Sequence, residues 1–321
     1  MFFSIIIPVY NRPLEIRELL QSLLLQTNKQ FEVIVVEDGS SLTCEEIIKE
    51  FSDQLNIIYN YVPNAGQGFA RNYGMRIAKG DYFVFFDSDC VIPAHYLEAL
   101  KTAIQNQQLH AHGGPDAAAD SFTDFQKALD YSMTSRLTTG GIRGKLKDAA
   151  SYEARGYNMG LSRTVFETVG GFVDPNKGED IELSIRIKKA GFKLELVQEA
   201  YVFHKRKNTL LNFYKQSFSF GQNRINVSRF HPKAVKVVHI LPLLFLVGWL
   251  SALVLHFLGF WIGTLGLVLV GLWLGLVSLD ALIKLKSLTI GLLSPVVAFG
   301  QLSCYGAGLL SEWIKKTCSA S

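Results

Sequence analysis

The stretch Phe83-Val-Phe-Phe-Asp-Ser-Asp-Cys90 decides how this chain is read. Four apolar residues, rich in Phe and Val, predict a strand buried on both faces, because a strand with one wet face would alternate. The run then turns abruptly into two carboxylates, Asp87 and Asp89, separated by one serine. Ligands of open α/β sheets collect at the carboxyl ends of the strands. Aspartates at i and i+2 on a turn can direct hard oxygens at one divalent cation, and that cation can clamp a diphosphate. Asp-Ser-Asp is also ordinary turn chemistry, so the motif alone leaves both readings open.

Working outward, Ser4-Ile-Ile-Ile-Pro8 and Phe31-Glu-Val-Ile-Val-Val36 predict two further buried strands. The first ends in Tyr10-Asn-Arg12 and the second in Glu37-Asp-Gly-Ser40. A third strand over 56–62 leads into Asn64-Ala-Gly-Gln-Gly68. Helical spacing fills the gaps, with Pro13 suited to a first helical turn. Strands alternating with helices of this length predict βαβ units and a parallel, doubly wound sheet, with the polar strand ends on one rim. Downstream, His112-Gly-Gly-Pro115 reads as a strand end, 121–137 as a helix and 164–169 as another. The glycine-rich basic loop Thr138-Thr-Gly-Gly-Ile-Arg-Gly-Lys145 either offers amides to an anion or acts as a linker. A helix begins at Glu179 and Asp180, where acids also suit the helix dipole. A last short strand over 193–197 runs towards Val202-Phe-His204.

The chain is 49% hydrophobic, but unevenly so: Leu241 to Leu279 holds no charged residue. Residues 205–236 carry eight Lys or Arg and no acid, which leaves residues 1–204 net acidic within an overall charge of +4. An acidic soluble part, a basic collar and then an apolar stretch describe a membrane-anchored protein, not a nucleic-acid binder. Apolar and aromatic residues at helical spacing between the cations of 208–230 predict an amphipathic helix in the headgroup region. The charge-free run is long enough for two crossings of about 20 residues each, expected at 238–257 and 260–279 around Gly259. A third apolar segment, 288–310, is expected to span, to be re-entrant or to lie at the interface. Lys284 and Lys286 belong on the cytosolic side, whereas Lys315 and Lys316 conflict with a full third crossing. Met1-Phe-Phe-Ser-Ile-Ile-Ile lacks a basic n-region and a cleavage site, so the first part is expected to stay in the cytosol. Four cysteines without a C-x-x-C pair are expected as reduced thiols.

Taken in order, seven elements resemble the family 2 glycosyltransferases of inverting GT-A fold. They are Ile5-Ile-Ile-Pro-Val-Tyr-Asn-Arg12, Val33-Ile-Val-Val-Glu-Asp-Gly-Ser40, Asn64-Ala-Gly-Gln-Gly-Phe-Ala-Arg-Asn-Tyr-Gly74, Ala78 through Asp89, Asn158-Met-Gly-Leu-Ser-Arg163, Gly170-Gly-Phe172 and Gly178-Glu-Asp180. The resemblance covers roughly residues 3–206. It implies a nucleotide-sugar donor, a UDP-sugar first among them. Pro8, Tyr10, Asn11, Arg12, Asn64 and Asp38 would line the nucleotide pocket, Asp38 reading the base. Arg71 would approach the diphosphate or sugar. Asp87 and Asp89 would hold Mg²⁺ or Mn²⁺, with His204 as a third candidate ligand, and Asp180 would be the general base, with Glu179 beside it. The Gln-x-x-Arg-Trp element of processive synthases is missing, Gln222-Asn-Arg-Ile being a partial echo. Two or three spans cannot enclose a polysaccharide channel. The expected protein is therefore a multi-pass enzyme of the cell (plasma) membrane. Its catalytic domain, 1–206, would lie on the cytoplasmic face, followed by an interface segment 207–236, a membrane domain 237–311 and a tail. It would transfer one sugar to a polyprenyl-linked acceptor. A polyprenyl-phosphate sugar synthase is the alternative enzyme, and a non-catalytic nucleotide-sugar-binding scaffold the alternative of another class.

Overall fold

The computed structural model describes residues 1–117, 123–139, 152–174, 177–204 and 209–318; the basic positions 140–145 and 205–207 lie outside that set. Four parallel strands, β1 (Phe3–Val9), β2 (Phe31–Asp38), β3 (Ile57–Val62) and β4 (Tyr82–Phe86), alternate with helices α1 (Pro13–Leu24), α2 (Glu45–Phe51) and α3 (Gln67–Ile77). Register runs Ile5 opposite Val33 and Val84, and Ile6 opposite Ile34 and Phe85. Side chains alternate across a strand, and here both faces are covered. Ile5, Ile7, Val33, Val35, Val84 and Phe86 enter one core layer. Ile6, Ile34, Val36, Phe83 and Phe85 enter the other. This two-sided burial is the reason the strands read as unbroken apolar runs.

Beyond β4 come β5 (Cys90–Val91), α4 (Tyr96–Gln107), β6 (Ala111–Gly113), β7 (Asp116–Ala117), α5 (Asp124–Thr134), β8 (Asn158–Ser162), α6 (Arg163–Val169), α7 (Glu179–Lys189), β9 (Leu194–Leu196) and β10 (Val202–His204). The main sheet has seven strands in the order β3-β2-β1-β4-β8-β6-β9, and β5, β10 and β7 form a second, small sheet. The all-parallel expectation needs correction at β8, which pairs antiparallel with both β4 and β6. The sequence reading has no strand there, because Asn-Met-Gly-Leu-Ser is short and carries a glycine. Gly160 is what lets it in: a side chain at that position would collide with the Phe83 carbonyl and the His112 ring. His112 lies wholly buried between Tyr82 Oη and Tyr96 Oη, each 3.0 Å from a ring nitrogen, and Tyr96 donates onward to Asn158 Oδ1 at 2.6 Å. Burial pulls the His112 imidazole down to about 3, so it is a neutral strut of the sheet.

The chain divides into two compact units, residues 1–117 with 146–205, and residues 118–145 with 206–321. The second unit is helical: α5 joins α8 (Leu210–Phe230), α9 (Val237–Phe257), α10 (Trp261–Leu285) and α11 (Leu288–Cys318). Helices α9, α10 and α11 are each long and apolar enough to cross a membrane. Gly259, at φ 83°, closes the α9–α10 hairpin in the left-handed region that favours glycine. All four cysteines are free thiols.

Candidate active site

The carboxyl ends of β1, β2 and β4 lie at one edge of the sheet, since the three strands are parallel neighbours. Two clusters are built there. The first ties β1 to β2. Pro8 is buried inside β1 opposite Val36, and Tyr10 stands 54% exposed beyond the strand. Asn11 takes φ 53°, a left-handed conformation that Asn tolerates better than most residues. Its amide donates to Ser40 Oγ at 2.8 Å, and its Oδ1 accepts from the amides of Ser41 and Leu42, both at 2.9 Å. Ser40 Oγ in turn donates to the fully buried carboxylate of Glu37. Glu37 also accepts from the amide and thiol of Cys44, at 2.8 and 2.9 Å, and from Tyr59 Oη at 3.3 Å. A buried carboxylate is tolerated when it is given donors in this way. Burial, reinforced by Glu37, pushes the Cys44 thiol and the Tyr59 hydroxyl up, which keeps both as proton donors.

Asp38 stitches the same turn to the loop before α3. Its Oδ1 accepts from the Ala65 amide at 2.8 Å and its Oδ2 from the Gly66 amide at 3.0 Å. Its carbonyl accepts from Asn64 Nδ2 at 2.8 Å. Gly39 (φ 70°) follows, and a Cβ added there would stand 2.5 Å from the Asn64 nitrogen. Both oxygens of Asp38 are thus engaged by the backbone of the loop before α3.

The second cluster surrounds the Asp87-Ser88-Asp89 turn, which Cys90 closes by donating its amide to the Asp87 carbonyl at 3.1 Å. Each aspartate is met by an arginine. Arg12, from the end of β1, forms an ion pair with Asp89. Arg71, from the second turn of α3, donates to Asp87 Oδ1 at 2.7 Å and lies 3.4 Å from Glu179 Oε1. Arg71 is fully buried, its guanidinium 5.5 Å from the centroid of the Phe172 ring. Gly156 lies against its other side, where a Cβ would come within 2.9 Å of Nη1. Arg71, expected at the diphosphate or sugar, is therefore found inside the wall, bridging the β4 turn to the first turn of α7.

Glu179 is also buried and accepts from Gln67 Nε2 at 2.7 Å. Burial, together with the charge of Asp180, pushes its carboxyl up to about 7 against the pull of Arg71. Asp180 is half-buried; its Oδ1 accepts from the Ile181 amide at 2.8 Å and its Oδ2 from the Gly156 amide at 3.2 Å. Gly178 (φ 85°) makes the sharp entry into α7 that presents both acids. Of the residues singled out in the sequence, Arg12, Arg71, Asp87 and Asp89 thus come together around one turn, and Asp180 is linked to it through Gly156, which lies against Arg71. Pro8, Asn11, Asp38 and Asn64 form the adjoining β1–β2 cluster. The backbone of His204 pairs with Cys90, one position beyond Asp89, while its side chain lies outside what the structure describes. Glu37, Gln67 and Gly156 were not found by sequence reasoning. Glu37 sits inside a quoted motif, but only its burial reveals that it holds the turn.

Comparison with known proteins fixes the class. The family model of glycosyl transferase family 2 matches residues 4–170, and the chain belongs to that family. The α/β unit has the GT-A fold of a glycosyltransferase domain. It is 28% identical over 267 residues to glycosyltransferase AglE of Haloferax volcanii, covering 78% of this chain and 81% of that one. It is 42% identical to glycosyltransferase GlyA of Streptococcus pneumoniae over 106 residues, which are 33% of this chain and only 15% of GlyA. Among solved structures, the mannosyltransferase PcManGT of Pyrobaculum calidifontis, in complex with GDP-Man and Mn²⁺, superposes with a TM-score of 0.62 at 15% identity, over 98% of this chain and 87% of that one. S. aureus TarS 1–349 gives 0.51 at 21% identity, over 71% and 64%.

Proposed function

We propose that this enzyme transfers a sugar from a nucleotide-diphosphate sugar, a UDP-sugar first among the candidates, to a hydroxyl of a membrane-associated, polyprenyl-linked glycan acceptor, with inversion. The observation that carries this reading is the joining of Asp180 to the Asp87–Asp89 turn through Gly156 and Arg71, on the carboxyl edge of the sheet. The solved complexes of TarS with UDP-GlcNAc and of PcManGT with GDP-Man and Mn²⁺ support a nucleotide-sugar donor.

Asp87 and Asp89 would hold a divalent cation, Mg²⁺ or Mn²⁺. Their donor chemistry fits: two hard carboxylates, two residues apart on a tight turn, with side chains 29% and 11% exposed. Among the described residues no three His, Cys, Asp or Glu side chains gather as a cage, so this turn would contribute part of a coordination shell. Bound there, the cation would neutralise charge building on the leaving diphosphate. Arg12, partly exposed at the same turn, adds a second positive group. Asp180 accepts the proton of the acceptor hydroxyl as the hydroxyl oxygen bonds to the anomeric carbon and the bond to the diphosphate breaks. Hydrogen bonds from the Gly156 and Ile181 amides hold the Asp180 carboxylate in place for that task. The candidate membrane helices and the basic segment before them support an active site at the cytoplasmic membrane face.

The test is Asp180→Asn in the full-length protein. Turnover should fall by about 10²- to 10⁴-fold, with nucleotide-sugar binding unchanged and both binding and turnover abolished by EDTA. Near-normal turnover in the variant would refute a hydroxyl acceptor in favour of a lipid phosphate, which needs little deprotonation. EDTA-resistant activity would refute the metal role.

A further inference from the structure

Helix α11 is apolar enough to cross a membrane, yet its packing is unlike that of α9 and α10. In its most apolar window 39% of residues are buried against protein, compared with 6% and 11% for the other two. Its most extensive partner, beside α5, α9 and α10, is α8, which runs beside α11 in the same direction along its own whole length. Phe213 packs with Ile290 and Val297. Tyr214 Oη donates to the Val296 carbonyl at 2.7 Å. Gly308 lies against the Phe218 backbone, and Gly221 against the backbone of Tyr305 and Leu309. At the far end Arg229 Nη2 meets Glu312 Oε1 at 2.9 Å, and Lys316 Nζ donates to Ser228 Oγ at 2.8 Å.

This ladder has a consequence for topology. If α11 crossed the bilayer, α8 would have to cross beside it. That would draw Lys215, Arg224 and Arg229 of α8 through hydrocarbon, together with Asn212, Gln216, Gln222, Asn223 and Asn226. A cation near the centre of a span is strongly disfavoured. Two further observations agree. Helix α11 meets the α9–α10 hairpin from its open end to about the middle of α9, at Pro242, Phe245 and Trp249 on α9 and at Ser278 and Leu282 on α10. A third span would be expected to follow the hairpin towards the Gly259 tip. Moreover, Leu288, Leu292 and Val296, and then Leu310 and Ile314, form an exposed apolar stripe opposite α8. Between them, where Phe299 and Ser303 fall on that face, α9 covers it.

We propose that α11 lies in the plane of the membrane, its Leu288–Ile314 stripe set into the acyl chains of one leaflet and its opposite face docked on α8. The occupant of the stripe is lipid, because the surface is continuous with the exposed apolar faces of α9 and α10. Lys284 and Lys286 before α11 and Lys315 near its end then lie at the headgroup level of the same leaflet. The conflict between the lysines at the two ends disappears, because both ends of α11 are on one side. The α9–α10 hairpin alone remains for crossing.

The experiment uses full-length protein in sealed, inverted membrane vesicles, with single spin labels at Leu288, Val296 and Leu310 and with tags at both termini. An in-plane helix places the three labels at similar depth, and protease added outside removes both tags together. A spanning helix separates Leu288 from Leu310 by about 33 Å along its axis, so the labels would report opposite interfaces. A depth difference approaching the bilayer thickness, or a C-terminal tag protected while the N-terminal tag is cut, overturns the proposal.

Discussion

Replacing Arg71 with Met should unlock the candidate site from within, and by an amount that depends on pH. In the native protein its buried guanidinium serves Asp87 at 2.7 Å and Glu179 at 3.4 Å. Removing one partner of a buried ion pair typically costs about 3–5 kcal/mol, since the remaining charge is left without compensation. Glu179 makes the cost titrate. Folding raises its pKa from 4.5 to about 7. Between those values the native state therefore holds a proton that the unfolded chain has released. Its contribution to stability is complete below the unfolded value and is lost as pH rises through about 7, a swing of about 3 kcal/mol. At pH 8 the variant must bury an ionised Glu179 without its cation, or hold a proton there at a cost. At pH 5.5 Glu179 is protonated in either protein, and only the Asp87 contact is lost. Hydrogen exchange of α3 and β4 peptides is the suitable assay. All four tryptophans lie at 249–313, in the other unit, so intrinsic fluorescence would miss the event. Exchange from globally opening amides, corrected for intrinsic rates, should accelerate by roughly two to four orders of magnitude at pH 8 and by clearly less at pH 5.5. Adding Glu179→Gln to Arg71→Met should restore part of the loss at pH 8. Equal acceleration at both pH values, with no recovery in the double variant, would refute the bridge as the source of the stability.

Two further substitutions probe the β1–β2 cluster. Gly39→Ala places a Cβ 2.5 Å from the Asn64 nitrogen at φ 70°. It should cost about 1–3 kcal/mol and raise the donor KM at least tenfold, as read in initial-rate kinetics with limiting nucleotide-sugar. Glu37→Gln keeps shape but turns an amide NH₂ towards the Cys44 and Tyr59 donors. A loss of about 1–3 kcal/mol in thermal stability, with donor KM raised and kcat within about twofold, is expected; a change confined to kcat would contradict a positioning role.

Much of this was legible from residues 1–90, and for a physical reason. Ile5–Ile7, Val33–Val36 and Phe83–Phe86 are buried on both faces of a parallel sheet, so each leaves an unbroken apolar run that ends where the chain meets solvent chemistry. Asp87 and Asp89 could be singled out because charge at such an end is conspicuous, whereas Arg12, Arg71 and Asp180 were singled out through the family resemblance. Later elements carry weaker local signals. Strand β8 is held by its neighbours and by the missing side chain of Gly160, neither of which periodicity records. Helix α5 was expected as a helix, but its burial of Ala128, Leu129 and Met133 against α8 and α11 is a long-range fact. The charge pattern around α11 registered as a contradiction, because apolarity alone cannot distinguish a span from a helix lying flat.

The two arginines of the Asp87–Asp89 turn look equivalent in sequence and are not so in the structure. The Arg71 side chain is 1% exposed, held between Phe172 and Gly156 and shared by two carboxylates, so any exchange of partner would leave charges stranded in a wall of low dielectric. Arg12 is 34% exposed, sits at the N-cap position of α1 and answers to Asp89 at the turn. Under the proposed reaction the turn must accept a diphosphate and a dication, and one of its existing ion pairs has to yield. Only the Arg12 pair can do so cheaply, because water can solvate the guanidinium while it moves. Arg12→Ala should therefore weaken donor binding while leaving exchange in α3 unchanged, the reverse of the balance expected for Arg71→Met. That division, one arginine fixed for architecture and one available to the ligand, explains how a site rich in acids can be rigid before the donor arrives and still admit it.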